Sequence, residues 1–240
     1  MKGAKMKKIL GMLLFIALLA AFLSCDAPIP HEEPKPDQIE TETTWDSIDE
    51  IGWIHENAEA DYLLPLEDFS WEREYAPEYI VIHFTSAVVN HRDDPYGEEN
   101  LRNLFVENGV SINYIILRDG RVKCYIPEER AAWHAGKGEL DDEKYENSLN
   151  KYSIGIEIAA IGSQSDMSPY LSPYEYSQLP GELIGFTDEQ YASLKLLVDD
   201  LSTRYGIPLD RDHVIGHEEY SPTKTDPGEL FDWSIIVPEN

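Results

Sequence analysis

Seven histidines and forty-six acidic residues supply the groups from which a metal centre or an acid–base pair could be built. The histidines stand at positions 31, 55, 83, 91, 134, 213 and 217. His31, His55 and His91 lie among polar, acid-rich residues, where an imidazole is ordinarily solvated. His83 differs, because it closes the run Tyr79-Ile80-Val81-Ile82-His83-Phe84, whose β-branched and aromatic residues belong in a core. A polar ring at a strand terminus projects into the cleft beside a sheet edge, where ligands often bind. Taken alone, it reads more readily as a satisfied structural histidine. A second histidine, His217, follows the run His213-Val214-Ile215-Gly216, and a turn-rich loop then returns the carboxylate of Asp226. Two imidazoles and one carboxylate are a zinc set that leaves a fourth position for water. Zinc can lower the pKa of that water to about 7 and polarise a carbonyl. Spacing alone is weak warrant here, since no short motif such as H-E-x-x-H is present. Glu157, a lone carboxylate in Ile154-Gly155-Ile156-Glu157-Ile158, also needs a reason to be on an apolar strand.

The elements that must position these groups are legible as patterns. Residues 79–84 and 153–158 read as buried strands. Ile112 to Leu117, then Arg118-Asp119-Gly120-Arg121, then Val122 to Ile126 reads as a β-hairpin turning on Asp-Gly. Glu98 to Glu107 is expected to be a helix stopped by Asn108-Gly109. Thr187 and Gln190 have capping-box spacing, and Tyr191, Leu194, Leu197, Val198, Leu201 and Tyr205 continue at helical intervals. His213 to Gly216 is a short final strand. Residues 159–186, rich in Pro, Tyr and Gly, read as a long loop of the kind that is often functional. Strands mixed with helices and one hairpin predict an α/β single domain around a central mixed β-sheet flanked by helices.

At 240 residues, the chain is long enough for one sizeable core. Its formal charge of −27 argues against nucleic acid as a partner, because phosphate binding needs a basic surface. Lys2, Lys5, Lys7 and Lys8 precede an apolar run from Ile9 to Leu23, the form of an export signal over residues 1–24 and short for a membrane span. The run ends in Phe22-Leu23-Ser24-Cys25, which resembles a bacterial lipoprotein cleavage box. That resemblance implies lipidation of Cys25, export and a membrane anchor, with an ordinary signal peptide or an uncleaved anchor, Cys25 being incidental, as the alternatives. Loss of the four lysines would leave fifteen basic against forty-six acidic residues, a formal charge of −31. Residues 25–44 then read as an acidic, Pro-rich tether and 45–76 as an N-terminal extension before a domain at 77–240. Cys124 sits in an apolar run and reads as a buried, inert thiol.

Four segments stand in a telling order. They are Ile80 to Thr85; Leu117 to Val122 leading to Ala132-Trp133-His134-Ala135-Gly136; Asn150 to Glu157; and Gly216-His217 through Lys224-Thr225-Asp226-Pro227-Gly228. Together they resemble the N-acetylmuramoyl-L-alanine amidases related to phage T7 lysozyme and to peptidoglycan recognition proteins. The resemblance spans residues 78–233. It implies zinc held by His83, His217 and Asp226, Glu157 as general base, and Lys224 beside the oxyanion. His134 would be a substrate-binding residue, and peptidoglycan or muropeptide the substrate of a monomeric enzyme. Two departures stand out. Pro222-Thr223-Lys224 is one residue shorter than the pattern of cytoplasmic muropeptide amidases. In Ser111-Ile112-Asn113-Tyr114, Ile112 stands where T7-like members place a catalytic tyrosine, so that role does not transfer, and Tyr114 reads as core. The rival expectation is a non-catalytic peptidoglycan-binding module of the same fold.

Overall fold

The computed structural model describes residues 64–237. Cys25, the expected signal and tether, and most of the expected extension lie outside them. Five strands form a mixed sheet in the order β4-β3-β6-β2-β7. These are β2 (Tyr79–Thr85), β3 (Tyr114–Ile116), β4 (Val122–Cys124), β6 (Ser153–Ala159) and β7 (Val214–Gly216). β3, β6, β2 and β7 are mutually parallel neighbours, and β4 adds an antiparallel edge to β3. A separate two-stranded ribbon pairs β1 (Ser70–Glu72) with β5 (Arg130–Ala132). The ribbon is preceded by the short helix α1 (Leu66–Phe69). Leu64 and Phe69, from the segment read as an extension, are buried with Leu101, Phe105 and Ile115 of the domain.

Alternation along the central strands explains both faces of the sheet. Ile80 and Ile82 of β2, Ile154, Ile156 and Ile158 of β6, and Val214 of β7 point to one side. There they meet Leu194, Leu197, Val198 and Leu201 of α4 (Asp188–Tyr205), one stripe at helical spacing. α2 (Glu98–Asn108) covers part of the other face with Leu101 and Phe105, and Gly109 ends it in the left-handed conformation. The expected capping box of α4 is present. Thr187 Oγ1 accepts from the Gln190 amide at 3.1 Å, and Gln190 Oε1 accepts from the Thr187 amide at 3.0 Å. Gln190 Nε2 also donates to the Ile116 and Ala159 carbonyls, at 3.3 and 2.9 Å, where β3 and β6 end.

Two expected elements differ. β3 is shorter than the run Ile112 to Leu117, and just before it Asn113 meets β6 through its side chain while its carbonyl still accepts from the Tyr125 amide at 2.9 Å. Its Oδ1 accepts from the Gly155 amide at 3.1 Å and its Nδ2 donates to the Ile126 carbonyl at 3.2 Å. The 159–186 segment contains structure of its own: Ser172 and Glu175 form a capping box on α3 (Pro173–Ser177). Val88, Ile161, Met167 and Leu171 form a small apolar cluster there. The segment has no periodicity to announce this, because its apolar residues meet across turns. Cys124 and Tyr114 are buried as expected, and the Tyr114 hydroxyl bonds the Glu128 carboxylate.

Leu197→Ala would remove a fully buried side chain from the helix–sheet contact. It is expected to lower unfolding free energy by about 3 kcal/mol in urea titration. Exposed Lys195→Ala is expected to stay within about 0.5 kcal/mol.

Candidate metal centre

In open α/β sheets, ligands collect at the carboxyl ends of parallel strands. Here β2 and β6 pair in register, with Val81 opposite Gly155 and His83 opposite Glu157. These residues share the face not covered by α4, near the ends of both strands. His217 follows β7 directly and opens the short helix α5 (His217–Tyr220). The loop after α5 turns back to deliver Asp226, whose carbonyl accepts from the Glu218 amide at 3.0 Å.

Three atoms converge. His83 Nδ1 lies 3.0 Å from His217 Nδ1 and 2.8 Å from Asp226 Oδ2, and His217 Nδ1 lies 3.0 Å from Asp226 Oδ2. His217 Nε2 is 2.9 Å from the Ala135 carbonyl, which can only accept. The ring therefore donates from Nε2, and in its neutral form Nδ1 is bare. A bare nitrogen and a carboxylate oxygen at 3.0 Å repel each other unless a cation lies between them. The donor set, two buried imidazoles and a half-buried carboxylate with ligand atoms all within 4.8 Å, fits zinc. Burial pushes His83 down to about 4, His217 adds to this, and Asp226 opposes it. Burial would raise the Asp226 carboxyl, but His217 and His83 outweigh it and hold it below the usual carboxylate range.

Glu157 and Lys224 border the same point. Glu157 Oε2 is buried with no hydrogen-bond partner among the described residues. Burial raises its pKa well above the ordinary value of 4.5, Asp226 adds to the rise, and Lys224 opposes it. Lys224 also bears on His83, so its charge reaches both groups. His134 touches the centre through its ring: Nδ1 is 3.0 Å from His83 Nε2, and Nε2 is 3.0 Å from Ser153 Oγ. Both ring nitrogens are thus engaged inside the protein. Ile112 is fully buried beside His134, packed where a side chain at Gly155 would be. The structure brings His83, His217, Asp226, Glu157, Lys224 and His134 to one site. His213 instead stacks on Tyr79 and bonds Asp210.

Several supporting residues had no assigned role in the sequence reading. Asn150 Oδ1 accepts from the His134 and Ala135 amides at 3.1 and 2.7 Å. Asp166 Oδ2 accepts from the Ser163 amide at 2.9 Å and the Glu229 amide at 3.3 Å, and its carbonyl accepts from Thr225 Oγ1 at 3.4 Å. Asp166 so ties the 159–186 segment to the loop that carries Asp226. A side chain at Gly228 would collide with the Asp166 carboxylate, which holds that turn close. Nothing in the local sequence marks Asp166, whereas Asn150 and Ser153 lie within the segment Asn150 to Glu157 that carries the family resemblance.

A mixed α/β sheet with this donor set at its carboxyl edge defines a protein built around a candidate metal centre. The chain belongs to the N-acetylmuramoyl-L-alanine amidase family, whose pattern it matches over residues 73–229. It is 35% identical over 126 residues to the 1,6-anhydro-N-acetylmuramyl-L-alanine amidase AmpD of Enterobacter cloacae, covering 52% of this chain and 54% of the relative. It is 32% identical over 162 residues to the N-acetylmuramoyl-L-alanine amidase AmiD of Escherichia coli, covering 66% of this chain and 51% of the relative. The chain thus spans about half the length of the curated relatives it matches. A solved complex of E. coli AmiD with anhydro-N-acetylmuramic acid-L-Ala-D-gamma-Glu-L-Lys is 26% identical, with a TM-score of 0.49, covering 69% of this chain and 59% of that one.

The buried Glu157 has a consequence for stability. Its raised pKa means that, above 4.5, the unfolded chain ionises while the folded carboxyl resists, so stability is lost as pH rises toward the folded value. In chelator-treated protein, Glu157→Gln is expected to raise Tm at pH 7, by about 2–4 °C per kcal/mol relieved. The gain should shrink as pH falls toward 4.5 and vanish well below it, where both states hold the proton. A Tm unchanged at pH 7 would contradict the assigned burial cost.

Proposed function

We propose that this chain hydrolyses the amide joining the lactyl group of N-acetylmuramic acid to L-alanine in peptidoglycan or muropeptides. The observation that carries the reading is the convergence of His83 Nδ1, His217 Nδ1 and Asp226 Oδ2 near Glu157, whose Oε2 has no hydrogen-bond partner among the described residues. Family membership supplies the bond and the substrate class.

In this reading His83, His217 and Asp226 hold a zinc ion, which when bound acidifies water and polarises a carbonyl. Glu157 accepts the proton of the attacking water and passes it to the leaving amine. Its position in a low-dielectric corner suits it to this, since burial raises its proton affinity while Lys224 limits the rise. Lys224 adds positive charge where the carbonyl oxygen becomes an oxyanion. His134 borders the cleft as part of its wall.

Export and anchoring through a lipid on Cys25 complete the proposal. At a formal −31, the processed chain would be repelled by anionic envelope polymers at low salt, so a lipid is the better means of retention. No helix among the described residues is long and apolar enough to cross a membrane.

Purified protein is expected to contain zinc and to release free L-alanine amines from intact sacculi or soluble anhydro-muropeptides, and to lose this activity on chelation. Glu157→Gln should retain zinc and lose about 10²-fold or more in kcat. Wild-type turnover by that variant would remove Glu157 as the base, and binding without amine release by the parent would favour a recognition module. Separately, Cys25→Ser is expected to move the protein from membrane to soluble fractions.

A further inference from the structure

We propose that His134 is a positioning residue for the metal ligand His83, fixing that ring in the tautomer whose Nδ1 is bare. This role rests on the metal reading above, yet it assigns His134 a task distinct from touching substrate.

The proton arrangement follows from backbone carbonyls, which can only accept. Ser153 Oγ lies 2.8 Å from the Leu149 carbonyl, so its single proton is committed there. The Ser153 oxygen then accepts from His134 Nε2 at 3.0 Å. A neutral His134 with its proton on Nε2 has a bare Nδ1, which accepts from His83 Nε2 at 3.0 Å. The two rings stand perpendicular, at 90°, a twist that an end-on contact between ring nitrogens allows. Neutral His83 then turns a bare Nδ1 to His217 and Asp226. The reverse arrangement would break the bond from Ser153 to Leu149.

The surroundings hold this relay in place. Ser153, Gly155 and Glu157 share one face of β6, and the His134 ring lies against Gly155. A Cβ there would come within 2.6 Å of His134 Cγ, so glycine is what lets the ring reach from Ser153 to His83. Asn150 fixes the backbone of His134 and Ala135 from below. The Ala135 carbonyl receives His217 Nε2, so one dipeptide sets both imidazoles, His83 through a ring and His217 through a carbonyl.

Partners of this kind commonly account for about 10–100-fold in metal affinity. The test compares His134→Asn with His134→Gln, each measured for zinc affinity by chelator competition and for zinc-dependent gain in Tm. Asn places its amide where Nδ1 stood and can still accept from His83, whereas Gln reaches the Nε2 position instead. The expected result is zinc affinity within about threefold of the parent for Asn and about 10–100-fold weaker for Gln. Ser153→Ala, which frees the far end of the relay, should fall between them. Equal affinity in all variants, or equal loss in Asn and Gln, would overturn the positioning role. Failure of the parent itself to bind zinc would overturn the metal reading and this inference together, and the parent measurement separates the two cases.

Discussion

Sliding β2 by one residue against β6 would turn His83 toward α4 and leave Ile82 facing the cleft. The in-register parallel pairing of these strands is therefore the constraint on which the site depends. It is held from the opposite face, where the isoleucines of both strands meet the apolar stripe of α4. Packing that is blind to chemistry thus sets the relative height of His83 and Glu157. Gln190 reinforces it, because one side chain closes the helix cap and satisfies the last carbonyls of two strands.

The face bearing the chemistry has the opposite energetic character. It buries Glu157 Oε2 without a partner among the described residues and crowds two imidazoles and a second carboxylate within about hydrogen-bonding distance. Such groups are costly to desolvate unless something compensates them. The compensation visible within the chain is arranged around the rims: Ala135, Ser153 and Asn150 take the outer nitrogens and amides, and Asp166 secures the loop of Asp226. Two carboxylate oxygens, Glu157 Oε2 and Glu218 Oε2, remain without a hydrogen-bond partner among the described residues. An interior short of partners inside a well-bonded periphery is what a candidate cation site looks like.

Much of the scaffold was legible in the residue pattern. The strands around Ile80 and Ile154, the Asp-Gly hairpin and the Thr187 cap each follow from local rules of alternation, turn chemistry and capping. The role of His83 was less legible, since a histidine ending a strand has no partner in its own neighbourhood. His217 and Asp226 lie more than a hundred residues away and meet it only through the order of strands. Glu157 was conspicuous because a carboxylate interrupts isoleucines. Ser153 and Gly155 were not, although they occupy the same alternate positions. Asp166 was invisible, because its partners belong to a loop with no periodicity and a contact made about sixty residues later.

That last contact binds the 159–186 segment to the ligand loop as one mechanical piece. Tyr170 of the segment lies within electrostatic reach of Asp226, so the segment also borders the centre. A cleft wall ordinarily drifts freely in evolution, trading one selectivity for another. Here any change in that segment pulls, through the bonds of Asp166, on the loop that carries Asp226, so the two stretches are inherited as a single trait.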